Sequence, residues 1–234
     1  MSKIVSKLFT LIMLVASIPG FAATKTADGT VLINQAAVLD AGGFTFVITT
    51  PGNYKLAGNL VVPAAVDGIQ VKSSDVTVDL NGFSITGPIV CDNQGITCTP
   101  EPTRETAGVN AVLGVVGNVS AVTVRNGHVR GFSRGVTSFG GLIEEITAES
   151  NFIDGIDGFD VAIRRSDASR NHGAGIACGN CVVTENLANS NHGNGFIMVF
   201  GGVFRSNSTS NSFGADIDNS VTSQQSNSCD GHVC

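Results

Sequence analysis

The segment DGIDGFDVAIRR places three aspartates before two arginines. Asp154, Asp157 and Asp160 recur at every third residue, and Arg164 and Arg165 follow them. Carboxylate oxygens are the ligands that calcium prefers, so weak calcium binding between Asp157 and Asp160 is one interpretation of this segment. Aspartates are also common in surface turns on either side of a strand. Both interpretations of the aspartates stay open.

Charged residues twenty positions apart give the arginines a second interpretation. The charges alternate in sign along one series: Glu145, Arg165, Glu185 and Arg205. Opposite charges stacked on neighbouring strands stabilise a sheet by about 0.2–1 kcal/mol per pair. This series predicts a structural role for Arg165. Arg164 is freer, although Glu144 stands at the same spacing and could neutralise it.

The cysteines fall into three close pairs: Cys91 with Cys98, Cys178 with Cys181, and Cys229 with Cys234. An even set of close pairs predicts local disulfides in an exported chain. A zinc site built on the CGNC segment is the alternative, but no second pair or histidine with ligand spacing accompanies it.

These residues are embedded in a repeat of twenty residues. Asparagine stands at 151, 171, 191 and 211, and Gly135, Gly155, Gly175 and Gly195 each precede an apolar residue. Two further columns are Ile143, Ile163, Val183 and Val203, and then Ala148, Ala168, Ala188 and Ser208. A period near twenty with β-branched residues predicts an all-β solenoid of stacked short strands. We expect the asparagines to form a ladder at one turn, and His172 and His192 to stack in one column.

The ends and the charge of the chain favour an exported protein. Residues 1–22 have the pattern of a signal peptide: a basic start with Lys3 and Lys7, an apolar core, and small residues before the expected cut after Ala22. The apolar run is too short to span a membrane. Loss of the two lysines leaves 11 basic against 19 acidic residues, a net charge of −8. An acidic surface disfavours nucleic acid as a partner.

After the signal peptide, the sequence predicts one domain. Residues 23–66 are expected to form cap strands at the N-terminal end, and residues 67–234 the repeat itself, with about seven coils. A long departure from the period at 88–106 carries Cys91, Cys98 and prolines. Such loops on rigid solenoids often bind ligands, and a disulfide-pinned decoration is the equal alternative.

Several segments of the repeat have a sequence that resembles a known family. The segments VTVDLNGFSITGP, VTVRNGHVRGF, NHGAGI and NHGNGF resemble the right-handed parallel β-helix proteins of the pectate lyase-like superfamily. Within it, they are most similar to exported bacterial β-helix repeat proteins that mostly lack an assigned activity. The resemblance covers about residues 60–213 and implies a right-handed parallel β-helix with about twenty residues per coil. Fold resemblance alone does not supply chemistry.

The resemblance also implies roles for the charged segment. Pectate lyases use carboxylates to hold calcium and an arginine or lysine to remove the proton next to a uronate carboxyl group. By that pattern Arg164 is the candidate base, Asp154, Asp160 and Arg165 would contact substrate, and Asp157 with Asp160 would hold calcium. The three-aspartate cluster, GHG motif and Arg-x-Lys pair of polygalacturonases are absent.

No complete catalytic constellation stands out in the sequence. We therefore expect a periplasmic or secreted protein that presents a flat face to polysaccharide or another cell-surface component. The alternatives are a small calcium-dependent polysaccharide lyase or a glycoside hydrolase, and a structural scaffold. An enzyme should fold the insertion at 88–106 over Asp157, Asp160 and Arg164 to make a cleft.

Overall fold

The computed structural model describes residues 24–40, 45–111, 119–210, 212, 217–219, 227–229 and 232–233. The predicted signal peptide, Asn211 and Cys234 lie outside the described residues. The described chain forms one helix, α1 (Gln35–Asp40), and these strands: β1 (Val31–Ile33), β2 (Phe46–Ile48), β3 (Gly52–Leu56), β4 (Leu60–Val61), β5 (Ile69–Val71), β6 (Val76–Asp79), β7 (Ser84–Thr86), β8 (Val90–Cys91), β9 (Cys98–Thr99), β10 (Ala107–Ala111), β11 (Val122–Arg130), β12 (Arg134–Glu149), β13 (Asp154–Arg164), β14 (Asp167–Ser169), β15 (Ile176–Thr184), β16 (Leu187–Asn189), β17 (Phe196–Arg205), β18 (Ser208–Ser210), β19 (Ile217–Asn219), β20 (Ser228–Cys229) and β21 (His232–Val233).

Each turn of the chain crosses three faces of a parallel solenoid. Face 1 is built from β2, β5, β10, residues 134–139 of β12, residues 154–159 of β13, residues 176–179 of β15, residues 196–199 of β17, and β19. Face 2 begins at β1 and β3 and continues through β6, β11 and the later halves of the long strands. Face 3 runs from β4 and β7 to β20. Within these faces, neighbouring strands pair in parallel, each with its equivalent one turn later, whereas β8–β9 and β20–β21 pair antiparallel.

The all-β, parallel solenoid prediction is confirmed, with about nine turns rather than about seven. The two additional turns come from the N-terminal segment. β2, β3 and β4 pair in parallel with β5, β6 and β7, so residues 46–61 already follow the path of the solenoid. Helix α1 covers this end through the buried side chains of Ala37 and Val38. Its first turn is capped by Asn34, whose Oδ1 accepts the N–H of Ala37 at 2.9 Å.

The long strands turn sharply at the corners because the first residue of each corner adopts a left-handed backbone. Between faces 1 and 2 these residues are Gly140, Asp160, Asn180 and Phe200, with φ between 53° and 77°. Between faces 2 and 3 they are Asn126, Glu145, Arg165, Glu185 and Ser206. Residues on either side of such a corner therefore point away from different faces.

Identical or similar apolar side chains stack in the interior. Val136, Ile156, Ile176 and Phe196 are in register on face 1 and fully buried. The column of Ile143, Ile163 and Val183 is also buried, but it ends on Phe204 instead of the predicted Val203. Likewise Ala188 pairs with Thr209, not with Ser208. Both predictions fail because β17 carries one extra residue in a β-bulge opposite Gly179–Cys181.

Two asparagine ladders satisfy the backbone at the corners. In the predicted ladder, Oδ1 of Asn171 accepts both the backbone N–H and Nδ2 of Asn151 at 3.0 Å, and Asn191 does the same for Asn171 at 2.9 and 3.1 Å. A second ladder joins Asn186 to Asn207 and Asn227. The bulge in β17 makes the spacing from Asn186 to Asn207 21 residues, whereas Asn207 and Asn227 are 20 apart. A fixed period of twenty therefore does not predict this ladder.

The insertion at 88–106 forms an antiparallel hairpin of β8 and β9, closed by the predicted Cys91–Cys98 disulfide. The predicted Cys178–Cys181 disulfide is also formed, with both cysteines buried across the corner between faces 1 and 2. The third predicted pair cannot be described because Cys234 lies outside the described residues.

We expect Asn171→Ala to lower the free energy of unfolding by about 3 kcal/mol, because it leaves the buried N–H and Nδ2 groups of Asn151 without their acceptor. Urea denaturation followed by circular dichroism measures the change. Asn53→Ala is the control: Asn53 is exposed, and its loss should cost no more than about 0.5 kcal/mol. Equal effects of the two substitutions would contradict a stabilising ladder.

Candidate functional site

The charged residues predicted to form a site lie in four different places. Asp154 and Asp157 belong to the face 1 part of β13. Asp160 occupies the corner, where its Oδ1 accepts a hydrogen bond from Nδ2 of Asn180 at 2.5 Å. Arg164 lies on face 2, and Arg165 occupies the next corner. The structure therefore brings Asp154 and Asp157 together on face 1 and separates them from Asp160, Arg164 and Arg165.

Both arginines are held in ion pairs. Glu144 accepts from Nε of Arg164 at 2.9 Å and from Nη2 of Arg165 at 2.7 Å, and Glu145 lies 3.2 Å from Arg165. The stacking of Arg165 on Glu145 agrees with the predicted charge series. The bulge in β17 places Arg205 in register with Thr184, so the series does not continue as predicted. The two arginines are thus held against Glu144 on face 2, and the role of Arg164 as a base stays a prediction.

Face 1 instead carries an arginine that the sequence analysis missed. Arg134 begins β12, in register with Asp154. Its Nε lies 3.1 Å from Oδ2 of Asp157 and 3.7 Å from Oδ2 of Asp154, and its Nη1 lies 2.5 Å from Oε2 of Glu105. Glu105 belongs to the insertion, so this cluster ties the insertion to the face. The twenty-residue spacing of Arg134 and Asp154 was an available signal for the pairing.

Burial changes the protonation of the two aspartates. It raises the pKa of Asp154 to about 6, against the lowering effects of the Ala174 N–H and Arg134, while Asp157 adds a further raising effect. Burial also raises the pKa of Asp157, partly offset by the charge of Arg134. Asp154 can therefore exchange a proton close to neutral pH, which an ordinary surface carboxylate cannot do.

A groove with a volume of about 720 Å³ lies on face 1 beside this cluster. Its floor is one column of outward side chains in register: Gln70, Asn110, Thr137 and Asp157. Residues 104–106 of the insertion form one wall. Buried Asp67 fixes this wall and the floor, because it accepts hydrogen bonds from the Ala107 N–H at 2.8 Å, Gln70 Nε2 at 2.8 Å and Asn110 Nδ2 at 3.2 Å.

Phenylalanine side chains continue the face beyond the groove. Phe139 and Phe159 are in register, with ring centroids 5.5 Å apart, and the ring of Phe200 lies 6.1 Å from Phe159. Phe200 is 78% exposed. We call these three residues the aromatic shelf. The next position in the column is Gly179, where a Cβ would lie 2.6 Å from the ring of Phe159, so a side chain there would displace the shelf.

The groove and the shelf are continuous. A second cavity of about 240 Å³ lies against the shelf and shares Thr137, Phe139 and Asp157 with the groove. Tyr54, the single tyrosine of the sequence, is buried and donates a hydrogen bond to the carbonyl oxygen of Thr50. Among the described residues, the outward aromatic rings of face 1 are therefore those of the shelf.

The insertion is anchored at the corner between faces 3 and 1. The carbonyl oxygen of Gly95, in its hairpin, lies 2.9 Å from Nδ1 of His172. The hairpin thus borders the coil corner, and the chain returning from it borders Asp157. It forms the wall of a groove, as expected for a ligand site, but this groove is not lined by Asp160 or Arg164.

The histidines and the candidate calcium ligands form no metal cluster in the described part of the chain. His172 stacks between Phe152 and His192, with centroid separations of 5.0 and 4.8 Å, in agreement with the predicted column. In the described ranges, no group of three or more His, Cys, Asp or Glu side chains could hold a metal ion. Calcium binding by Asp157 and Asp160 stays a prediction.

Comparisons with protein-family models, curated proteins and solved structures find no match to this chain. No helix within the described residues is long and apolar enough to cross a membrane. The fold and the site define a parallel β-solenoid protein with a walled polar groove and an aromatic shelf on one face.

The raised pKa of Asp154 predicts a pH-dependent effect on stability. The native state holds the proton of the Asp154 carboxyl more tightly than the unfolded chain does, because the pKa of this group is near 3.8 when the chain is unfolded. The contribution of the protonated Asp154 carboxyl to stability is therefore complete below about pH 3.8 and is lost as the pH rises to about 6. Asp154→Asn removes the loss. The free energy of unfolding of the variant, minus that of the wild type, should increase by about 2.5 kcal/mol between pH 4 and pH 7.

Denaturant unfolding at a series of pH values measures this difference. Asp160→Asn, at the exposed corner, is the control for removing one negative charge from the surface. A difference between Asp154→Asn and the wild type that stays constant with pH would contradict the raised pKa.

Proposed function

We propose that this protein binds saccharide on face 1, with the sugar lying in the groove and over the aromatic shelf. The observation that carries the proposal is the direct continuity of a polar groove with a shelf of two half-buried phenylalanine rings and one exposed ring on one face. A volume of about 720 Å³ lies within the range of about 300–1,000 Å³ found for small-molecule sites.

The chemistry of the floor suits a ligand rich in hydroxyl groups. Its four side chains provide amide, hydroxyl and carboxylate groups, which together donate and accept hydrogen bonds. They repeat once per coil, at about 4.8 Å, which is close to the length of one pyranose unit in an extended glycan. A saccharide chain aligned with the solenoid axis would therefore meet a polar group at each successive sugar.

The shelf supplies the complementary contact. A flat aromatic ring covers the apolar face of a pyranose, and Phe139 and Phe159 present two such rings on adjacent coils. Export to the periplasm or beyond stays part of the proposal, and the two disulfides are compatible with it. The ligand is then a polysaccharide or another saccharide-bearing component of a cell surface.

Calorimetry of the mature protein with cello-, chito-, xylo-, malto- and galacturonotetraose tests the proposal. We expect at least one of these oligosaccharides to bind, and Phe159→Ala to weaken its binding at least tenfold, about 1.4 kcal/mol. Phe200→Ser should weaken the same complex without disturbing the core, since Phe200 is exposed. Val61→Ser removes an exposed valine from face 3 and should leave binding unchanged. The absence of binding to the whole panel would overturn the proposal.

Glycoside hydrolysis is a second candidate, favoured by the pairing of Asp154 and Asp157 beside the groove. Glycosidases use two carboxyl groups, one protonated to act as acid and one ionised. Asp154, whose pKa burial raises to about 6, would supply the acid, and Asp157, which lines the groove and lies closer to the Arg134 guanidinium at 3.1 Å, would supply the ionised group.

Release of reducing ends from the same panel tests this candidate. If hydrolysis is found, Asp154→Asn should reduce kcat at least a hundredfold while calorimetry still detects binding. Activity that persists in this variant would exclude Asp154 as the acid.

A further inference from the structure

The outward side chains of face 1 change character along the solenoid axis. The floor column is polar for four successive strands, from Gln70 to Asp157, and then continues as Ala177 and Ile197. The neighbouring column passes from Phe139 and Phe159 to Gly179 and Val199. On β15 and β17 every outward position of face 1 is apolar.

We call the outward side chains of face 1 on β15 and β17 the apolar half. This surface is partly exposed but too small to bind a protein partner stably. Val199 is 40% and Phe200 is 78% exposed, whereas their inward neighbours Phe196 and Met198 are fully buried. Stable protein interfaces bury about 1,200–2,000 Å² in total, and this surface comprises two short strand segments and the shelf. The cavity of about 240 Å³ against it is below the usual range of about 300–1,000 Å³ for a whole ligand. It fits a substituent of a larger ligand.

We infer that the ligand of face 1 is a saccharide that carries an apolar aglycone, with its sugar in the groove and on the shelf and its alkyl or aryl group against Ala177, Ile197 and Val199. This inference rests on the proposed saccharide site and names the class of ligand within it. The cavity against the apolar half shares Thr137, Phe139 and Asp157 with the groove. A ligand whose sugar occupies the groove therefore places its apolar group in this cavity, and this group is the single occupant of the surface.

The two halves of the face then have separate roles. The floor column recognises the sugar by hydrogen bonds, and the apolar half adds affinity by removing the aglycone from water. An unsubstituted polysaccharide longer than the floor would place hydroxyl groups over Ile197 and Val199, which offer them no hydrogen-bond partner. The face therefore selects short saccharides with an apolar end over long unsubstituted chains.

Saturation-transfer difference NMR and calorimetry with paired probes test the inference. The probes are the n-octyl and phenyl β-glycosides of glucose, galactose, N-acetylglucosamine and maltose, below their critical micelle concentrations, each with its free sugar. We expect at least one octyl or phenyl glycoside to bind at least tenfold more tightly than its free sugar. The octyl and phenyl series separate alkyl from aryl aglycones.

Variants test whether the tighter binding of a glycoside than of its free sugar comes from the apolar half. Ile197→Ser with Val199→Ser should remove the gain of the glycoside over the free sugar, while Val61→Ser on face 3 should preserve it. Asp157→Asn should weaken the free sugar and the glycoside by a similar factor, because Asp157 lies at the polar end.

The results distinguish failure of the inference from failure of the proposed function. Saccharides that bind with no gain from an octyl or phenyl group would overturn the inference and leave the saccharide site standing. An octyl chain on a tetraethylene glycol head that binds as tightly as the octyl glycosides would also overturn it, since the sugar would then contribute nothing. No binding of any sugar or glycoside, free or substituted, would overturn both.

Discussion

The register between successive coils is the constraint on which the rest of the structure depends. Every residue on a face sits directly above its equivalent one turn later, about 4.8 Å away, so a buried polar group in one coil needs a partner in the next. The asparagine ladders meet this requirement. Each buried Oδ1 accepts the backbone N–H of the preceding coil, where the chain turns a corner and sheet hydrogen bonding is interrupted.

The same register determines how a site can arise on this fold. Most inward positions carry buried apolar side chains in successive coils, because a change in volume at one of them is transmitted to the coils above and below. Outward positions have no such restriction. Face 1 uses this freedom to place a polar column, an arginine held among three carboxylates and a phenylalanine shelf on one surface. The insertion adds a wall without changing the packing of the core, because it leaves the solenoid at one corner and returns to it in register.

A single bulge in β17 shows how strongly the register between coils determines which side chains are buried. The extra residue at the corner of β17 moves Phe204, rather than Val203, into the interior and Thr209, rather than Ser208, into the alanine column. It also separates Arg205 from the charge series. A fixed period of twenty predicts each of these positions wrongly by one residue, and a one-residue shift in a strand turns each side chain to the opposite side.

The amino-acid sequence by itself determined the repeating part of this protein: the parallel β-solenoid, the Asn151–Asn171–Asn191 ladder, the histidine stack and two local disulfides. It could do so because stacking places like residues on like, so the fold appears directly as a period in the sequence. The candidate site was decided only by the tertiary structure. Arg134 meets Glu105 across the insertion, and Asp157 and Arg164 point from different faces although seven residues separate them. Such contacts depend on where the corners fall and where a non-repeating loop returns, and neither is encoded in the period.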